Sequence, residues 1–124
     1  MTGKIGLMEM GKGNLKTKNY ALRGLVYLDK DSYEYLINDE GDEANITNIL
    51  IEAANNKQKV VYILIEMDGK LQIDEEGFLY CTPDEDNVMA WQLGDKNIDK
   101  FLFNHTGKHM NIYIKIIDST EVVD

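Results

Sequence analysis

The chain has 124 residues, of which 44% are hydrophobic and 28% charged, so its size and composition are those of one folded domain and not of a disordered chain. Its 22 acidic residues outnumber its 13 basic ones, giving a net charge of −9. Because nucleic-acid binding depends on Lys and Arg side chains that neutralise phosphates, this balance argues against DNA or RNA as a direct ligand.

Cysteine content and hydropathy predict a cytoplasmic protein without a membrane anchor. The single cysteine, Cys81, cannot form an intramolecular disulfide, and the N-terminus lacks the apolar core of a signal peptide. The longest apolar run, Val60 to Ile65, is far shorter than the ~20 residues that a transmembrane helix needs.

The first half of the chain predicts strands followed by a helix and a last strand. Lys4 to Met10 is expected to add an opening strand, and β-branched and aromatic residues predict short strands at Gly24 to Leu28 and Tyr33 to Ile37. Asn45 then precedes a helical stripe at i, i+3, i+4, i+7, formed by Ile46, Ile49, Leu50 and Ala53. The last strand is apolar on both faces, with Val61, Ile63 and Ile65 on one side, which predicts a central position.

The second half repeats this order. Asp68-Gly69 predicts a two-residue hairpin that joins the two halves. Strands are then expected at Leu71 to Ile73, Phe78 to Cys81 and Val88 to Leu93, followed by a helix capped by Asn97 whose stripe comprises Ile98, Phe101, Leu102 and His105. The final strand alternates Ile112, Ile114 and Ile116 with polar residues, which predicts a position nearer a sheet edge.

Direct comparison of the chain with itself indicates a tandem duplication. Residues 23–42 align without gaps on residues 76–95 with five identities, among them Gly24 with Gly77 and Tyr27 with Tyr80, where about one is expected from average composition. With single-residue gaps, residues 61–66 continue the alignment on residues 112–117. We interpret residues 13–68 and 69–119 as two repeats, preceded by an N-terminal strand segment (1–12) and followed by a short tail (120–124).

These elements predict a single α+β domain over residues 1–124. The expected architecture is a mostly antiparallel, twisted sheet with two helices on one face, built from two β-β-(β)-α-β repeats related by an approximate internal two-fold.

Candidate binding residues fall in acidic turns and on aromatic strands. The turns contain Asp39, Glu40, Asp42 and Glu43, and Asp84, Glu85 and Asp86, and they are interpreted either as solvated turns or as a docking surface for a basic protein. Tyr33, Tyr35 and Trp91 are candidate contact residues because Tyr and Trp are enriched in interaction hot spots, although core packing is the alternative for each.

No catalytic or metal-binding constellation emerges from the sequence. His105 and His109 have i, i+4 spacing, but Thr106-Gly107 interrupts the helix, so we expect His105 at the edge of the core and His109 in solvent. Cys81 aligns with Leu28 of the first repeat and is therefore expected to be a buried, inert thiol. We accordingly predict no enzyme activity, no cofactor and no metal.

Two functions remain open from the sequence. The first is a non-catalytic acidic inhibitor or adaptor that docks on a basic surface of a larger protein, a profile that resembles that of phage anti-defence proteins and toxin-immunity proteins. The alternative is a module that binds or sequesters a small molecule in a pocket at the repeat seam or at a dimer interface. A homodimer is compatible with both.

Overall fold

A computed structural model describes residues 16–54, 59–83, 85 and 87–118. It contains nine strands and two helices within these residues. In chain order they are β1 (Lys16–Asp29), β2 (Glu34–Asp39), β3 (Asp42–Asn45), α1 (Ile46–Ala54), β4 (Lys59–Met67), β5 (Lys70–Gly77), β6 (Leu79–Pro83), β7 (Met89–Leu93), β8 (Lys96–Asn97), α2 (Ile98–Asn104) and β9 (His109–Asp118). The strand expected at Lys4 to Met10 and the tail at 120–124 lie outside the described residues.

The fold is α+β with antiparallel sheets and two helices, as the sequence predicts, but the strands divide between two sheets. One sheet has six strands in the order β3-β2-β1-β9-β4-β5, and the other has three in the order β6-β7-β8. The strands do not form the single sheet that the sequence predicts, because the chain changes from one sheet to the other at Phe78. Before this residue β5 pairs with β4, and after it β6 pairs with β7.

Strand β1 is long because its two ends pair with different neighbours. Lys16 to Leu25 pair with β9, whereas Leu25 to Asp29 pair with β2. The change of partner occurs beside Gly24, which has φ +139°. A Cβ atom at this position would lie 2.2 Å from the carbonyl oxygen of Asn38, so only glycine permits the close approach of β1 and β2.

Two neighbouring strands of the six-stranded sheet, β4 and β9, form an isoleucine-rich antiparallel pair. Ile63 of β4 pairs with Ile114 of β9, and both are 1–2% exposed. The prediction that β9 lies nearer an edge than β4 is wrong, since β9 lies between β1 and β4, while β4 is next to the edge strand β5. The polar alternation of β9 instead reflects a sheet face that no described element covers.

Both helices begin as predicted, and α1 buries its whole predicted stripe, whereas in the stripe of α2 Phe101 and His105 are only half-buried and His105 lies just beyond the helix. The side chain of Asn45 accepts a hydrogen bond from the Asn48 amide, and that of Asn97 accepts one from the Lys100 amide, each at 2.9 Å. The buried residues of the helices are Ile46, Ile49, Leu50 and Ala53 in α1, and Ile98 and Leu102 in α2. Helix α1 contacts β2, β4 and β6, whereas α2 contacts β7 of the smaller sheet.

The predicted hairpin between the halves is confirmed. Strand β4 ends at Met67 and β5 begins at Lys70, with Asp68 at φ +53° and Gly69 at φ +73° between them. Two successive positive φ angles are those of a type I′ turn, whose twist suits the flanking strands.

The two halves differ in their number of strands and in strand register, although each places its helix directly before its last strand. Residues 16–67 run β1-β2-β3-α1-β4, and residues 70–118 run β5-β6-β7-β8-α2-β9. In the first half Val26 pairs with Ile37. The gapless alignment equates Val26 with Leu79 and Ile37 with Ala90, so the same register in the second half would pair Leu79 with Ala90. The structure instead pairs Leu79 with Leu93.

Candidate functional site

The β2–β3 hairpin concentrates carboxylates at one edge of the six-stranded sheet. Asp39 and Asp42 are directly paired across the hairpin, with Glu40 and Gly41 in the turn at φ +54° and +92°. The Asn38 side chain accepts a hydrogen bond from the Gly41 amide at 3.0 Å, which fixes the turn. We call Asp39, Glu40, Asp42 and Glu43 the acidic hairpin.

Two members of the acidic hairpin have partners on β1. The Arg23 Nε lies 3.4 Å from an Asp39 carboxylate oxygen, and the Tyr27 hydroxyl donates to the Glu43 carboxylate. This hydrogen bond raises the pKa of Tyr27. Glu40 and Asp42 are exposed, and within the described part of the chain no cation lies at ion-pair distance from either.

A groove of about 250 Å³ lies between the acidic hairpin and β1. It forms where β1 leaves β2 at Gly24 to pair with β9. Its lining comprises Ala21, Leu22, Arg23, Ile37, Asp39, Asp42, Glu43 and Ala44. Three carboxylates against one guanidinium give the groove a net charge of −2, so its electrostatics suit a cationic group.

The other predicted contact residues do not join this surface. Tyr33 is 77% exposed, but it lies just before β2, roughly 20 Å along the strand from Asp39. Tyr35 is only 8% exposed and belongs to the core, where burial raises its pKa to about 12, so it presents no surface to a partner. Trp91 is half-buried on β7 of the smaller sheet.

The second acidic turn lies only partly within the described residues. Glu85 is exposed, with a carboxylate oxygen 3.8 Å from the Lys100 Nζ. Asp84 and Asp86 lie outside the described residues. The structure therefore describes the acidic hairpin as a cluster and Glu85 as a single surface charge.

Both histidines lie where the sequence predicts. His105 is half-buried, its Nδ1–H donates to the Phe101 carbonyl oxygen at 2.8 Å, and its ring stacks on that of Phe101 with centroids 4.2 Å apart. His109 is exposed. Among the described residues no group of three or more His, Cys, Asp or Glu side chains is placed to hold a metal ion.

The prediction that Cys81 is buried is wrong. Its alignment partner Leu28 packs against the core, but Cys81 lies on β6, an edge strand of the smaller sheet, and is exposed. Partial desolvation of the thiol raises its pKa, and the negative charge of Asp99 raises it further. A raised pKa disfavours the thiolate that nucleophilic catalysis requires.

Sequence reasoning missed Asp99 and the cross-strand partners of the acidic hairpin. Asp99 accepts a hydrogen bond from the Trp91 amide at 3.1 Å, and burial raises its pKa. An acidic residue in the first turn of a helix was a visible signal. The pairing of Arg23 with Asp39 and of Tyr27 with Glu43 depends on strand register, which no local pattern reveals.

No protein-family model, curated protein or solved structure matches this chain. Neither helix of the described structure is long and apolar enough to cross a bilayer.

Proposed function

We propose that this protein is a non-catalytic binding protein that acts as an inhibitor or adaptor by docking its acidic hairpin on a basic surface of a larger protein. The observation that carries this proposal is the exposure of Glu40 and Asp42 at the end of a hydrogen-bonded turn. Asp39 and Glu43 flank them and have partners on β1, so four carboxylates lie together on one hairpin, two of them without a cation at ion-pair distance within the described residues.

The rigidity of the acidic hairpin supports a role in recognition. The Asn38 side chain fixes the turn, and Tyr27 holds the Glu43 carboxylate against β1. A surface that is ordered before binding loses less conformational entropy on association than a flexible acidic tail does. The net charge of −9 also steers the chain toward basic partners and accelerates encounter.

The groove supports a specific mode of contact. The apolar residues of its lining include Leu22 and Ile37, and its three carboxylates outnumber its single guanidinium. A Lys or Arg side chain of the partner can bury its aliphatic stem there while its charged end meets Asp42 and Glu43. Because the groove lies within the first half of the chain and is lined by neither Tyr nor Trp, it supports the protein-docking function over a ligand pocket at the seam.

The experiment compares two variants with equal net charge in a salt-eluted pull-down from the native host lysate. Glu40→Gln/Asp42→Asn neutralises two carboxylates of the acidic hairpin. Asp31→Asn/Asp68→Asn neutralises two exposed turn carboxylates elsewhere and serves as the control. We expect a basic protein to elute with salt from the wild type and from the control. The hairpin variant should retain much less of it, because its dissociation constant should be about tenfold higher.

Equal retention of that partner by both double variants, or retention that salt does not weaken, contradicts the proposal.

We also propose that the two halves arose by tandem duplication and are related by an approximate two-fold axis. The support is the pairing of Ile63 with Ile114, which occupy equivalent positions when 61–66 is aligned on 112–117. In an antiparallel strand pair, a two-fold axis normal to the sheet passes between two such equivalent residues. An experimental structure tests this, because a rotation of about 180° should superpose α1 and β4 on α2 and β9; any other rotation argues against it.

A further inference from the structure

The outward side of the six-stranded sheet is a second surface, which adjoins the groove beside the acidic hairpin and shares Ala21 and Arg23 with its lining. Cross-strand pairs place three rows of side chains on this side: Arg23, Asn111, Glu66 and Leu71; Ala21, Tyr113, Leu64 and Asp74; and Asn19, Lys115, Tyr62 and Glu76. We call these twelve residues the open face. The alternate residues of the same strands, such as Ile63 and Ile114, point into the core.

The open face is partly apolar and accessible. Tyr113 is 45% exposed and Leu71 is 53% exposed, while Leu64 and Tyr62 are half-buried between their neighbours. Within the described ranges, the helices and the smaller sheet contribute to the core on the opposite side. A sheet face that leaves neighbouring apolar side chains accessible is a candidate interaction surface.

We propose that the open face is the interface of a homodimer, in which two copies pack face to face about a two-fold axis that runs along the strands between β9 and β4. This operation places β9 of one copy over β4 of the other. Tyr113 then faces Leu64 of the second copy, so the apolar middle rows meet.

Charge complementarity favours a second copy as the occupant. The same operation brings Lys115 of one copy over Tyr62 of the other and one strand away from its Glu76, within reach of a lysine side chain. The contact occurs twice because the interface is symmetric. The open face contains two cations, Arg23 and Lys115, and the three anions Glu66, Asp74 and Glu76, for a net charge of −1. Repulsion between the charges at the contact itself is therefore small, and salt screens the more distant charges of the two copies.

The size of the face suffices for a weak dimer. The twelve residues occupy four strands at ~4.8 Å spacing and three rows at ~6.6 Å spacing, for a flat footprint of about 380 Å². The same face continues to the pairs that Ile117 forms with Thr17 and Val60, and to Leu25, which is 43% exposed. This extension brings the footprint to about 500 Å² per partner, the size of a weak interface.

The first test measures the mass of the full chain in solution by sedimentation equilibrium, from about 1 to 100 µM. We expect a monomer–dimer equilibrium for the wild type. Tyr113→Glu should be monomeric, because it places a carboxylate against Leu64 of the second copy. Phe103→Glu is the matched control, since Phe103 is a 61% exposed aromatic on α2, and it should dimerise like the wild type.

A charge-swap experiment tests the intermolecular contact itself. Lys115→Glu and Glu76→Lys should each weaken the dimer about tenfold, because each places like charges together twice. An equimolar mixture of the two variants should recover wild-type affinity, since every contact in the mixed dimer is again complementary. Circular dichroism of each variant checks that it is folded.

A monomeric wild type, an undisturbed Tyr113→Glu dimer, or a mixture that fails to recover affinity overturns the proposal.

Discussion

At the scale of single residues, Gly24 determines how the acidic hairpin is placed. The residue has φ +139°, and its missing Cβ leaves room for the Asn38 carbonyl. Asn38 in turn fixes the turn at Gly41. One backbone contact on β1 thus supports both the change of strand partner and the geometry of the candidate binding surface.

Gly24→Ala should destabilise the protein strongly. A methyl group 2.2 Å from a backbone oxygen forces β1 and β2 apart, and the positive φ adds strain, for a loss of about 2–4 kcal/mol in the free energy of unfolding. Urea denaturation followed by circular dichroism measures this loss.

Gly41→Ala is the matched control for this prediction. Gly41 also has a positive φ, but an added Cβ there has no atom within 4 Å, so the expected loss is only about 1 kcal/mol. Equal losses in the two variants would show that backbone conformation alone, and not the approach of Asn38, explains the requirement for glycine at position 24.

At the scale of elements, helix α1 is attached to β1 by a polar contact as well as by its buried stripe. The Tyr20 hydroxyl donates to a Glu52 carboxylate oxygen at 2.7 Å, and the Lys18 ammonium contacts the other oxygen of that carboxylate. Both hydrogen bonds lower the pKa of Glu52, and the hydrogen bond from Lys18 has the larger effect. The carboxylate is one-third exposed, which limits the contribution of this contact to stability.

The sign of the Glu52 shift predicts a dependence on pH. A carboxyl group whose pKa is lowered by folding contributes stability above its unfolded pKa of about 4.5 and loses that contribution as the pH falls through the folded value. Relative to Glu52→Gln, the wild type should be more stable at pH 7 by less than about 1 kcal/mol, and the difference should disappear at acidic pH. Urea midpoints of both proteins between pH 7 and pH 3 measure the difference.

Tyr20→Phe should retain part of the effect, since Lys18 remains. A wild-type advantage over Glu52→Gln that is constant with pH would show that Glu52 stabilises the helix by packing and not by its charge.

Elements defined by short-range patterns were predictable, whereas the partition of strands was not. Three local features each depend only on residues close in sequence, so they could be predicted from the sequence alone. They are the apolar stripe from Ile46 to Ala53, the Asn45 cap and the Asp68-Gly69 turn. The division into two sheets depends on which strand pairs with β6 after Phe78, a contact set by tertiary packing. The exposure of Cys81 follows from that same division.

The candidate site was likewise predictable from the sequence only in part. The carboxylates at 39–43 were visible as a run of charge, and the structure places them on one hairpin. Their cross-strand partners Arg23 and Tyr27 are 16 residues away in sequence and meet them only through the β1–β2–β3 register. The burial of Tyr35 follows the alternation of β2, in which Tyr35 and Ile37 share the core face.

At the scale of the whole molecule, the two halves cannot complete their sheet separately. Strand β9, from the second half, lies between β1 and β4 of the first half and pairs with both along most of its length. Removal of either half would leave the isoleucines of the central strands without their cross-strand partners.

This interleaving predicts one cooperative unfolding transition for both halves. In hydrogen exchange followed by mass spectrometry across a urea series, the amides of β1, β4 and β9 should lose protection at the same urea concentration, because none of these strands can open alone without exposing the shared core. Edge strands β3 and β8 should exchange earlier, since each pairs on one side only within the described structure. Protein concentration is held constant throughout, so that dimerisation does not shift the midpoint. Separate transitions for β1 and β9 would contradict the prediction and would mean that each half retains a core of its own.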